Sequence, residues 1–286
     1  MTARGCISAR LATVLPVVLT LIASSNVGGA QSIVPVTEGK PPLGLDQVLS
    51  NLTQKNAQRA AALQAFEGKR IYRMQYRGFA GDKDAEMVVR ANFRAPNSKE
   101  FTVLSQSGSK FVIEHVFKKL LQSEQQALKD DNGQGMALTR ENYDFELAGY
   151  ETTPQGGQYV LRLLPRTKNK YLYRGTIWID AKDFAVVRIE GEPGKNPSIW
   201  TRKTDIMHRY EKVNGFWLPA ENHTESSIRF GGKATLSIEY QDYKVTQVQP
   251  QNANASSRKN RPSFLEGIAL DNPAVWANGV PRRGAH

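Results

Sequence analysis

The stretch Thr176-Ile-Trp-Ile-Asp180, Ala181-Lys182, Asp183-Phe-Ala-Val-Val-Arg-Ile-Glu190 decides the fold. Apolar and polar residues alternate on both sides of a short joint rich in aspartate, the pattern of two antiparallel strands and their turn. A second joint stands at Val213-Asn-Gly-Phe-Trp-Leu-Pro219. There Asn214-Gly215 supplies the positive φ that a tight hairpin needs. Outward from these joints the alternation runs from Tyr159 to Tyr243 and predicts about five successive strands, including 158–164, 199–210, 216–226 and 233–243. Upstream, residues 70–79 and 85–94 read as a hairpin across Gly81-Asp-Lys-Asp84, followed by strands at 101–105 and 143–150.

Two stretches carry helical spacing instead. Leu45, Val48, Leu49, Leu52, Ala60, Leu63 and Phe66 predict a first helix, with Gly68 as its stop. Val112, Ile113, Val116, Phe117, Leu120, Leu121 and Leu128 predict a second, with Ser109 as N-cap and Asp130-Asp-Asn-Gly-Gln-Gly135 at its end. A strand over 111–117 is the competing reading.

The chain begins with Arg4 and Arg10, then an apolar run from Leu11 to Ala23, then small residues ending Gly28-Gly29-Ala30. This is the layout of a cleavable signal peptide, residues 1–30, with cleavage expected after Ala30. The run is too short to span a bilayer, which takes about 20 apolar residues. Residues 31–44, with Pro35, Pro41 and Pro42, read as an extended leader, 45–248 as the folded domain, and 249–286 as a flexible polar tail. Cys6 is the only cysteine and precedes the apolar run, so the mature chain is expected to hold no disulfide and no thiolate metal site. The formal charge is +11, and loss of Arg4 and Arg10 leaves +9. For an exported protein that balance points away from nucleic acid and toward anionic membrane surfaces or polyanionic envelope polymers.

Alternation sorts the strand residues onto two faces. One face collects Tyr72, Met74 and Tyr76; Met87, Val89, Ala91 and Phe93; Tyr159, Leu161 and Leu163; Ile177 and Ile179; Val187 and Ile189; and Leu236, Ile238 and Tyr240. The other collects Arg73, Arg77, Arg90, Arg94, Arg162, Arg174, Arg188 and Arg209. A sheet of nine or ten strands curls or splits, and only two helices are available to cover its oily side. That side reads either as ordinary core or as the lining of an apolar cavity. The arginines read either as a solvated face paired with Glu86, Glu190 and Glu239 or as a dock for an anionic surface.

Reactive motifs are few. No Gly-x-Ser-x-Gly elbow, phosphate-binding loop or His-Glu-x-x-His helix occurs. Glu221, His223 and Glu225 share one strand face, where metal binding is geometrically conceivable, and His208 lies in a neighbouring strand. A polar outer face explains the trio with fewer assumptions, and Asp180 and Asp183 suit a turn better than a catalytic pair. No cofactor, metal or catalytic residue is expected. Asn51, Asn222 and Asn254 head Asn-x-Ser/Thr triplets that matter only in a eukaryotic source.

The order of these motifs resembles a known group. A helix, an arginine-rich hairpin, Phe93-Arg-Ala-Pro-Asn97, a helix-bearing insert, the Gly175-Thr-Ile-Trp-Ile-Asp180 hairpin and Gly215-Phe-Trp-Leu-Pro219 together resemble the LolA-like superfamily of outer-membrane lipoprotein-sorting proteins. That group also holds the receptor LolB and the regulator RseB. The resemblance covers roughly residues 45–248. It implies an unclosed antiparallel half-barrel capped by helices, whose concave apolar face holds acyl chains of a lipid or lipoprotein in the periplasm, without covalent chemistry. Met74, Met87, Phe93, Tyr159, Leu161, Leu163, Ile177, Ile179, Val187, Ile189, Leu236 and Ile238 would line it. Arg73, Arg77, Arg90, Arg94, Arg162 and Arg188 would meet an anionic partner. An envelope regulatory or assembly module that binds a protein partner on the same fold is the alternative. The chain departs from the carrier pattern at Lys99-Glu-Phe-Thr-Val103, and the 109–129 helix replaces an expected turn and strand. The sequence assigns no position to the arginine that fastens the carrier's lid.

Overall fold

A computed structural model describes residues 37–79, 81–96, 98–129, 137–196, 201–229 and 231–247. The expected signal peptide, residues 31–36 of the leader and the 249–286 tail lie outside the described residues, as does Asn97 of the Phe93-Arg-Ala-Pro-Asn97 motif.

The strands are β1 (Thr37–Gly39), β2 (Leu63–Gly78), β3 (Lys83–Arg94), β4 (Ser98–Gly108), β5 (Tyr143–Thr153), β6 (Gly156–Pro165), β7 (Tyr173–Asp180), β8 (Val186–Pro193), β9 (Thr201–Val213), β10 (Phe216–Ile228) and β11 (Gly232–Gln247). They form one antiparallel sheet in the order β1-β5-β6-β7-β8-β9-β10-β11-β2-β3-β4. Among the described residues no pairing joins the edges β1 and β4, so the curved sheet stays open. The fold is mainly β with α, as the alternation implies. Three residues of the expected leader add an eleventh strand by pairing with β5.

Two helical segments cover one face. Helix α1 (Leu45–Ala62) lays Val48, Leu49 and Leu52 on Tyr159, Leu161, Leu163, Ile177, Ile179 and Ile189. The second segment is α2 (Lys110–Val112), a π turn over Ile113–Phe117 and α3 (Lys118–Lys129). Its Val112, Ile113, Val116, Phe117 and Leu121 pack on Tyr72, Met74, Met87, Val89, Leu236 and Ile238. Ser109 caps it by accepting from the Val112 amide at 3.4 Å, and the strand reading of 111–117 is excluded.

Two boundaries differ from the spacing. The first helix ends at Ala62 rather than at Gly68, because Leu63, Ala65 and Phe66 pair with β11. Gly68 sits inside β2 instead. A Cβ there would stand 2.9 Å from the Tyr243 ring, so the strand needs a residue without a side chain. The central hairpin also starts its return later than expected. Asp180 Oδ1 accepts from the Lys182 and Asp183 amides at 3.0 and 2.6 Å, and Phe184 takes φ +47° before β8 begins at Val186. Asn214 and Gly215 carry φ of +49° and +88°, the hairpin geometry their dipeptide predicts.

Candidate functional site

Each helical segment is fastened to the sheet by one arginine, and the two fastenings differ in kind. From α1, Arg59 donates to the Asp183 and Phe184 carbonyls, both at 2.8 Å, so the helix end closes over the β7–β8 turn. Phe184 then stacks on Tyr159, and Asp183 accepts from Trp217 Nε1 at 2.8 Å and pairs with Lys212 at 2.5 Å. Burial lowers the Arg59 pKa, opposed by the charges of Asp183 and Asp180.

The second fastening is a buried ion cluster. Arg70, on the covered face of β2, donates to both oxygens of Glu124 on α3, at 2.8 and 3.1 Å. Lys99 of β4 reaches the same carboxylate. The Arg70 guanidinium also lies over the Tyr240 and Phe101 rings, 5.0 and 5.3 Å from their centroids. Arg70 and Glu124 are only 3% and 4% exposed. Burial pushes the Glu124 carboxyl pKa up, but Arg70 and Lys99 together outweigh it and hold it at about 2. Sequence reasoning passed over this cluster. Arg70 has the same parity as Tyr72 and Met74, and an arginine in register with an oily row was the available signal.

The twelve candidate lining residues fall as follows. Leu161, Leu163, Tyr159, Ile177, Ile179 and Ile189 are buried under α1, and Met74, Met87, Leu236 and Ile238 under the α2–α3 segment. Register shows that both groups share one face, since Thr224 of β10 lies opposite Ile206 of the first cluster and Leu236 of the second. Phe93 is half-buried and stacks on Phe66 in a third cluster at the β2–β3 end. Val187 goes to the opposite face, with Val160 and Trp178. A register shift between Trp178 and Ile179 opposite β8 puts Val186 in the place that strict alternation gives to Val187.

On the outer face, ion pairs hold most of the candidate arginines. Arg73 pairs with Glu86 at 2.8 Å and also with Glu239, Arg77 with Asp84 at 2.6 Å, and Arg162 with Glu146 at 3.2 Å. Arg188 pairs with Glu190 at 3.2 Å and stacks 3.6 Å from the Trp178 centroid. Arg90 and Arg94 are exposed and form no ion pair among the described residues. An open groove of about 600 Å³ beside Arg174 is lined by Glu190, Glu192, Asp205 and Glu225, an acidic surrounding that does not suit an anion.

The Glu221, His223 and Glu225 trio is divided among partners. Glu221 pairs with Arg209 at 3.3 Å, and Glu225 with Lys233 at 2.8 Å and His223 at 3.7 Å. Among the described residues no group of three or more His, Cys, Asp or Glu is placed to hold a metal ion. No described helix is long and apolar enough to cross a membrane.

No protein-family model and no curated protein matches the chain. Among solved structures it is similar to a DUF1329 family protein from Desulfovibrio piger, 14% identical, covering 69% of this chain and 92% of that one at a TM-score of 0.33. It is similar to a putative outer membrane lipoprotein-sorting protein domain from Vibrio parahaemolyticus, 10% identical over 70% and 93% at 0.31. It is also similar to a LolA superfamily protein from Nitrosomonas europaea, 12% identical over 70% and 94% at 0.29.

Proposed function

We propose that the protein is a periplasmic carrier or chaperone that binds the acyl chains of a lipid or lipidated protein on the concave face of its open sheet, without covalent chemistry. The observation that carries this reading is the way the face is closed. Two apolar clusters lie under two helical segments, and one segment is held by a buried carboxylate among two cations. Burial of an acyl chain would supply about 0.8 kcal/mol per CH₂. The lining residues are already in contact with the helices, so entry of a chain requires a helical segment to leave. The α2–α3 segment is the one that moves. Its π turn interrupts the regular ladder, and its Glu124 contact can be exchanged for water. Export by the residue 1–30 signal would deliver the protein to the periplasm, where Arg90 and Arg94 would meet an anionic membrane surface or envelope partner.

Native mass spectrometry of the mature protein, purified without detergent from its own envelope and then extracted into organic solvent, tests this. A stoichiometric lipid or acylated peptide is expected. A clean apo mass that persists after incubation with envelope lipids would refute acyl carriage. It would favour the second reading, a protein-binding module, for which edge strand β4 offers an open ladder with Val103 and Leu104 at 40% and 45% exposure.

A further inference from the structure

Apart from the Arg70, Glu124 and Lys99 cluster, the polar residues of β9 and β10 on the covered face form one strip. Between the α1 cluster and the α2–α3 cluster, β9 and β10 present Thr201, Thr204, His208, Asn222, Thr224 and Ser226, none more than 2% exposed. Register puts Asn222 opposite His208 and Ile238, Thr224 opposite Ile206 and Leu236, and Ser226 opposite Thr204 and Ala234. The strip is therefore flush with the apolar floor on either side of it.

Part of the strip is internally satisfied. His208 Nδ1 donates to Asn222 Oδ1 at 2.6 Å, Asn222 Nδ2 donates to Tyr240 Oη at 2.8 Å, and the Thr204 and Ser226 hydroxyls bond each other at 3.0 Å. The Thr224 and Thr201 hydroxyls are buried with no hydrogen-bond partner among the described residues. A buried hydroxyl left unpaired is costly, and valine offers nearly the same shape without that cost. The pairing of the rest leaves these two donors available to something else.

We infer that this strip is a polar subsite within the acyl-binding face, where the Thr224 hydroxyl donates to the carbonyl oxygen of an acyl ester or amide whose chain lies on the flanking apolar clusters. The inference rests on the acyl-carrier reading. The strip contains no lysine or arginine, and Arg70 beyond Tyr240 is committed to Glu124. Burial holds the His208 pKa down at about 4, so its ring is neutral at neutral pH. A neutral pocket with hydroxyl donors suits a carbonyl and disfavours a free carboxylate or phosphate, which would enter with an unpaired charge.

The test uses a matched pair of probes, 1-tetradecanoylglycerol and its ether analogue 1-O-tetradecylglycerol, which differ only in the carbonyl oxygen. Binding of each to the mature protein is measured by displacement of a fluorescent acyl probe, for the parent, Thr224→Val and Thr224→Ser. The parent is expected to prefer the ester about five- to tenfold, the size of one hydrogen bond to a buried group. Thr224→Val should remove that preference while binding the ether unchanged, and Thr224→Ser should restore it. Thermal melting of Thr224→Val, expected at or above the parent, confirms that the variant is folded. If both probes bind but the parent does not distinguish them, or if Thr224→Val retains the preference, the subsite is refuted and acyl carriage stands. If neither probe binds the parent, acyl carriage fails and the subsite with it.

Discussion

Replacing Glu124 by glutamine removes one charge from a site that is closed to water while α3 lies on the sheet. The Arg70 and Lys99 side chains are 4% and 5% exposed, and both direct their cations at this carboxylate. Glutamine keeps the shape but leaves two buried cations facing a neutral amide. Removing one partner of a buried pair costs about 3–5 kcal/mol, most of it the penalty of the charges left behind. For a domain of this size each kcal/mol moves Tm by about 2–4 °C, so Glu124→Gln should lower Tm by roughly 10 °C. Urea unfolding followed by tryptophan fluorescence and circular dichroism gives the free energy, with an unchanged m-value showing that the same surface unfolds. Amide exchange adds location, since α2–α3 amides should lose protection before those of α1. The triple variant Arg70→Met, Lys99→Met, Glu124→Leu removes all three charges together and should recover most of the loss. A Glu124→Gln cost below about 1 kcal/mol, or equal loss of protection in both helical segments, would show that the cluster does not hold α3 to the sheet.

Acid should act on the fold in two stages. The His208 pKa is held near 4, below its ordinary 6.5, so its contribution is complete above pH 6.5 and falls away as pH drops toward 4. The Glu124 pKa is held at about 2, below its ordinary 4.5, so its contribution, about 3 kcal/mol, is lost between pH 4.5 and 2. Urea midpoints measured from pH 7 to 2.5 check both, and His208→Gln should flatten only the upper stage. Arg59→Ala removes two charge-assisted bonds to the Asp183 and Phe184 carbonyls and should cost about 2–4 kcal/mol by the same assay. Gly175→Ala would bring a Cβ within 2.0 Å of the Glu190 carbonyl oxygen, in the backbone of the paired strand. Backbone there cannot yield as a side-chain tip can, so a loss of at least about 3 kcal/mol or failure to fold is expected, visible as a collapse of soluble yield.

What could be read from the sequence was whatever depends on local periodicity. The Trp178 hairpin, the Asn214-Gly215 turn and the Ser109 cap each rest on chemistry within a few residues, and each is present, the hairpin with its return strand starting at Val186 rather than Asp183. The errors came from distant partners. Gly68 resembles a helix stop until Tyr243 is known to lie over it, and Val187 keeps its alternation until β7 shifts register against β8. Arg70 and Glu124 are 54 residues apart, and nothing near either one announces the other. The hydroxyl strip was hidden for the opposite reason. Thr204, Thr224 and Ser226 look like ordinary outward strand residues, and only their pairing against Ile206, Leu236 and Ala234 turns them inward.

The two arginine fastenings set which half of the covered face can open. Arg59 is bound to backbone carbonyls at a turn that also anchors Trp217 and Lys212 through Asp183, so releasing α1 disrupts the β7–β8 hairpin with it. Arg70 is bound to a side chain on α3, the segment proposed to move. Were α3 to leave, Glu124 would return to water as a solvated carboxylate, and Arg70 would keep the Tyr240 and Phe101 rings beside it. Such release would open Glu124, Arg70 and Lys99 to water together, so that no charge would stay buried without its partner, and would leave the sheet's pairing intact. The exposed floor would then be the α2–α3 cluster together with the hydroxyl strip, since Tyr240 joins them through Asn222. On the proposed acyl-carrier reading the face would open beside its polar strip, so the carbonyl end and the chain of an acyl group would seat in one movement.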